Sequence, residues 1–168
     1  MGAKILKYLA VGSGAFLTLA LFFAFNLVGS THATGGLVRL AVMGHFHTQA
    51  LTCPPPDDTA QCVIDALTTV PGKAGLTGTN KLVTADYTED ATSIYYHDYT
   101  TITSQYGQFQ GNEHGTINKL TGEFHSNATL MSTDGCRSSL QLHNDGTIDL
   151  DTLEDDGTYS GILVKKDC

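Results

Sequence analysis

Apolar and polar residues alternate along much of this chain, in short runs bounded by turn residues. Thr121 to Met131 is the clearest run. It puts Phe124, Ala128 and Leu130 on one face and Glu123, His125, Asn127 and Thr129 on the other, the period of two expected of a half-buried strand. Ser138 to Asn144 turns Leu140 and Leu142 inward, and Asn144-Asp145-Gly146 reads as a hairpin turn because glycine accepts the positive φ of the primed turns. Ile148 and Leu150 continue inward as far as a second turn at Asp155-Asp156-Gly157. Thr158 to Lys165 follows, with Tyr159, Gly161 and Leu163 on one face.

Upstream, Leu37 to Leu51 is the first strand candidate, with Gly44 marking a bulge. The prolines at 54–56 permit neither strand nor helix. Cys62 to Val70 suits a short helix or a buried strand. Asn80 to Thr88 groups Val83, Ala85 and Tyr87 on one face, with Leu82 out of step, and Ser93 to Thr103 is rich in β-branched and aromatic residues. From Gly75 to Phe124 glycine recurs every few residues and leaves no room for a long helix. Seven or eight strands at intervals of roughly 8–12 residues predict an all-β fold, an antiparallel barrel of about eight strands whose apolar faces meet inside. A β-sandwich is the alternative; periodicity does not separate the two.

A tract of different character precedes the strands. Lys4 and Lys7 form a basic start, Tyr8 to Val28 carries no charge, and small residues stand at Thr31 and Ala33. That order fits a hydrophobic helix serving as a signal peptide over residues 1–33, followed by one domain over 34–168. A retained anchor is the alternative, with residues 8–28 the membrane contact if uncleaved. The predicted location is secreted, periplasmic or cell surface.

Residues 34–168 keep all 17 acidic side chains against seven basic ones. This balance argues against nucleic acid or an anionic lipid surface as partner, since both need clustered Lys and Arg. The cysteines Cys53, Cys62, Cys136 and Cys168 all follow the apolar tract, and an even count in an exported chain reads as disulfides. The preferred pairs are Cys53–Cys62, across the proline loop, and Cys136–Cys168, tying down the last strand.

The phrasing Thr100-Thr-Ile-Thr103, Gly107-x-Phe-x-Gly111-x-x-x-Gly-Thr-Ile117, Thr121-Gly-x-Phe124 and Gly157-Thr-Tyr-Ser-Gly161 resembles small exported bacterial β-proteins of the allene oxide cyclase and dirigent barrel superfamily, over residues 75–165. The resemblance implies an eight-stranded barrel with an apolar interior pocket. Where such proteins carry Gly-Gly-Thr-Gly-x-Phe, this chain has Ser132-Thr-Asp-Gly135-Cys136-Arg137, so no catalytic residue is carried over.

Three constellations are chemically suggestive. His45 and His47 share a strand face and are candidate metal ligands, though no third ligand is identifiable. Tyr95, His97 and Tyr99 share one face of a strand, with Tyr96 and Asp98 on the other; together these five are the candidate ligand pocket, with acid–base potential if enclosed. Asp145, Asp149, Asp151, Glu154, Asp155 and Asp156 are dense enough to suggest calcium, but they lack the spacing of an EF-hand, and a solvated hairpin explains them. Asn127-Ala-Thr129 is a formal glycosylation sequon. No nucleophile elbow or phosphate loop occurs, and no cofactor is implied.

The leading expectation is a disulfide-stabilised, exported, non-enzymatic barrel that holds a small apolar ligand or acts at the cell surface. One alternative is a cyclase- or isomerase-like enzyme using the barrel cavity. Another is an assembly subunit using the N-terminal apolar helix, although a pilin-like glutamate is missing from that run.

Overall fold

The computed structural model describes residues 37–53 and 62–166. These residues form eight strands: β1 (Leu37–Ala50), β2 (Cys62–Thr69), β3 (Gly78–Glu89), β4 (Ser93–Ser104), β5 (Gly107–Asn118), β6 (Glu123–Ser132), β7 (Ser139–Ile148) and β8 (Asp155–Lys166). Each pairs antiparallel with its neighbour in sequence, and β1 pairs with β8 from Leu37 opposite Lys166 to His47 opposite Asp156. That last ladder closes the sheet on itself, so the fold is a barrel and the sandwich is excluded. Closure also removes the unpaired edges that an open sheet would expose.

Cys62 to Thr69, ambiguous in sequence, is a strand because both its edges are taken, by β1 and by β3. The two turns expected at Asn144-Asp145-Gly146 and Asp155-Asp156-Gly157 are corrected. Both segments are strand, with Gly146 opposite Gly157, and the chain turns between them at residues 149–154. The expected bulge at Gly44 is also corrected, since Gly44 keeps register with Tyr159 and the irregularity falls between Thr48 and Ala50. In β3 a bulge between Thr84 and Asp86 switches the inward parity. Leu82 therefore lines the interior alongside Asn80 and Thr84, and beyond the bulge Tyr87 does so as well.

Four of the strand glycines share a packing arrangement. Gly44 lies opposite Tyr159, Gly115 opposite Tyr96, Gly146 opposite Phe124 and Gly157 opposite Phe46. A Cβ on any of them would meet its partner's ring at between 2.3 and 3.0 Å. None of the four has positive φ; they are glycine because an inward aromatic ring occupies the place of their side chain.

One end of the barrel is filled. Val42, Leu76, Ile102, Phe109, Leu130, Leu140, Tyr159 and Leu163 pack there with almost no exposed surface. Leu76 comes from the β2–β3 connection. Its backbone N–H donates to the Tyr159 hydroxyl at 2.5 Å, and that hydroxyl donates to the Leu76 carbonyl at 2.9 Å. The connection is thereby fastened across the end of the barrel.

The expectation of a wholly apolar interior is corrected. Asp65, Asn80, Asp98, Thr100, Glu113, Ser126 and Asn144 are all buried, in a layer above the packed end. At the opposite end the Cys53–Cys62 disulfide joins the segment that follows β1 to the first residue of β2, with Cα atoms 5.6 Å apart. The pairing expected between Cys136 and Cys168 involves Cys168, outside the described residues; the same is true of the N-terminal tract 1–33 and of the proline loop. No helix among the described residues is long and apolar enough to cross a membrane.

Candidate functional site

Alternation along the eight strands sends every second side chain inward, and above the packed end these side chains do not fill the space. A cavity of about 580 Å³ remains, reaching the end of the barrel that carries the β3–β4, β5–β6 and β7–β8 hairpins. Its mouth is edged by Tyr87, Ile94, Leu150 and Leu153, and Phe46 and Phe124 flank its middle with ring centroids 5.9 Å apart.

The middle of the cavity is acidic. Asp98 on β4 lies directly opposite Glu113 on β5. Glu113 accepts from Ser126 Oγ at 2.5 Å, Asn144 Nδ2 at 3.1 Å and Thr100 Oγ1 at 3.4 Å. Even with these donors, burial pushes the Glu113 carboxyl up to about 7. Across the cavity, burial followed by the neighbouring Asp155 charge raises Asp65 well above the carboxylate range. Asp155 is raised by burial too, while the Thr48 hydroxyl, donating at 2.8 Å, works in the opposite direction. Burial also raises Asp98 and the Tyr96 phenol.

Three buried oxygens here, Asp65 Oδ1, Asn80 Oδ1 and Asp98 Oδ1, have no hydrogen-bond partner among the described residues. Among the described residues lining the cavity, Lys119 is the only cation. It stands at the mouth, where its Nζ lies 2.6 Å from Glu89 Oε2 and donates to the Asp90 carbonyl at 2.7 Å. Four carboxyl groups therefore share a partly desolvated space with no basic side chain among them, and they cannot all ionise without a cation from outside.

The five residues expected to form a pocket divide by parity. Tyr96 and Asp98 line the cavity. Tyr95, His97 and Tyr99 are corrected to the outer wall, where Tyr95 and Tyr99 are exposed and His97 stacks on His114 with centroids 4.4 Å apart. His97 also faces Asp86 and Asn112 through its two ring nitrogens. His45 and His47 are exposed on β1, flanking the inward Phe46; among the described residues, neither belongs to a cluster of three metal-ligating side chains.

The acidic hairpin does not converge on one point. Asp149 accepts from the backbone N–H groups of Asp151 and Thr152, Asp145 faces two histidines, and Asp155 lies inside the barrel.

Sequence reasoning missed Glu113, Asp65 and Asn144. Each interrupts an apolar face: Glu113 falls between Phe109 and Ile117, Asp65 between Val63 and Leu67, and Asn144 between Leu142 and Ile148. A polar residue at apolar parity was the available signal.

Comparison with protein-family models, curated proteins and solved structures yields no match to this chain.

Proposed function

We propose that the barrel binds a small molecule with an apolar body and a protonated nitrogen at its head. The apolar part would lie between Phe46, Phe124 and the mouth, and the head would meet Asp98, Glu113 and Asp65. The observation that carries this reading is an open cavity whose middle holds four carboxyl groups, Asp65, Asp98, Glu113 and Asp155, two of them with unpartnered oxygens, and, among the described residues, no buried cation to balance them. A ligand ammonium supplies both the charge and the hydrogen-bond donors that this layer lacks. The apolar ligand expected from sequence thus gains a polar end. The signal-like tract over residues 1–33 and the Cys53–Cys62 bridge support an exported setting.

The test is calorimetric titration with arylalkyl amines, alcohols and carboxylic acids of matched carbon skeleton. The amines should bind most tightly, and Asp98→Asn and Glu113→Gln should weaken them selectively. Equal binding of the carboxylic acids, or no binding by any member, would refute the proposal.

A second reading, proton-transfer catalysis of the cyclase or isomerase kind, is favoured by one further observation. Ser126 donates to Glu113, the Tyr96 phenol lies close enough to feel the Glu113 charge, and burial brings the Glu113 carboxyl to about 7. A carboxyl of that pKa exchanges protons at low cost in either direction. Turnover of an unsaturated amphiphile that is lost in Glu113→Gln would support this reading over binding alone.

A further inference from the structure

On the outer wall, away from the cavity, His125 on β6 stands directly opposite Asp145 on β7, and His143 stands two residues before Asp145 on the same face. Both imidazoles converge on one oxygen. His125 Nδ1 contacts Asp145 Oδ1, and His143 Nε2 lies 3.2 Å from it. The three ligand atoms all lie within 4.8 Å of one another, on side chains open to solvent.

Asn127, directly opposite His143, fixes what that ring can do. His143 Nδ1 lies 3.1 Å from Asn127 Oδ1, which only accepts, so Nδ1 carries the proton and donates. With Nδ1 held by Asn127, His143 presents Nε2, the ring nitrogen left for a metal, toward Asp145 Oδ1. Two metal–ligand bonds of about 2.0 Å at a tetrahedral angle hold their donors roughly 3.3 Å apart, close to the His143–Asp145 separation.

We infer that His125, His143 and Asp145 form a divalent transition-metal site, with Asn127 as the positioning residue that sets the His143 tautomer. Two imidazoles and one carboxylate suit zinc and its neighbours in the first transition row over calcium or magnesium. Three protein ligands leave at least one coordination position open to water or to a donor from another molecule.

The probe is Zn²⁺ added to the metal-stripped protein, its affinity measured by competition with a chromophoric chelator, and Co²⁺ is used for the visible spectrum. One saturable equivalent is expected, lost in His125→Ala and in His143→Ala and unchanged in a His45→Ala/His47→Ala double variant. Asn127→Ala should weaken binding about tenfold while keeping the Co²⁺ spectrum, as expected for an outer partner of a metal-bound histidine. Far-UV circular dichroism of each variant separates loss of the site from loss of the fold. Absence of a saturable site in the folded protein, or its survival in a His125→Ala/His143→Ala double variant, would overturn the inference.

Discussion

The phenol of Tyr96 occupies the space that a side chain at Gly115 would need, since a Cβ there would lie 2.3 Å from both the ring Cζ and the hydroxyl oxygen. The two residues face each other across β4 and β5, and the nearest obstacles to that Cβ are all atoms of the tyrosine. Gly115→Ala should therefore displace the ring, at a cost of about 1–3 kcal/mol from overpacking. In a Tyr96→Ala background the same substitution should cost much less. Urea unfolding of the two single variants and the double variant measures the coupling; additive losses would mean that the ring and the glycine are independent.

Stability should fall as pH rises through the neutral range. Folding raises the Glu113 carboxyl from its ordinary 4.5 to about 7, so between those values the native state holds a proton that the unfolded chain has released. The contribution is complete below about pH 4.5, declines up to about pH 7 and is level beyond it, for a total near 3 kcal/mol. Asp65, Asp98 and Asp155 shift in the same direction and steepen the decline. Unfolding free energy should be greater at pH 5 than at pH 8, and Glu113→Gln should flatten the difference. A protein more stable at pH 8 would contradict the burial of these groups.

Removing the Tyr159 hydroxyl should loosen the packed end of the barrel. Tyr159→Phe strands the buried Leu76 N–H, which donates to that oxygen at 2.5 Å, and the loss should be about 1–3 kcal/mol. Leu76→Ala removes a fully buried side chain and should cost about 2–5 kcal/mol. Thermal unfolding measures both, and faster hydrogen exchange in the 71–77 connection would locate the change. An unaltered midpoint in Tyr159→Phe would show that the hydroxyl does not fasten the connection.

Loss of the Cys53–Cys62 bridge should weaken the barrel without abolishing it. The bridge joins cysteines nine positions apart in sequence, and a loop of that length corresponds to about 2–3 kcal/mol of constraint on the unfolded chain. Cys53→Ser/Cys62→Ser should lower the unfolding midpoint and retain the far-UV β spectrum, because the strand ladders do not depend on the link. Complete loss of that spectrum would show that the bridge is required for folding.

The strands were legible because their apolar faces keep a period of two, as in Phe124, Ala128 and Leu130, all of them buried. What misled was glycine. Gly146 and Gly157 suggested turns through their conformational freedom, yet they sit in mid-strand because Phe124 and Phe46 lie across them. Such packing between strands distant in sequence leaves no local trace. The candidate site was half visible for the same reason. Tyr96 and Asp98 fell on one strand face, but local pattern does not say which face of an aromatic strand turns inward. Glu113 and Asp65 join Asp98 only once the barrel closes.

Leu76 and its clasp by Tyr159 make the chamber a dead end. Whatever enters must leave by the doorway it came through, so nothing can be threaded along the axis, and a long polymer could offer only its tip. Two guests could not exchange places without the first backing out. Occupancy is thus decided at a single entrance, where Tyr87, Leu150 and Leu153 stand.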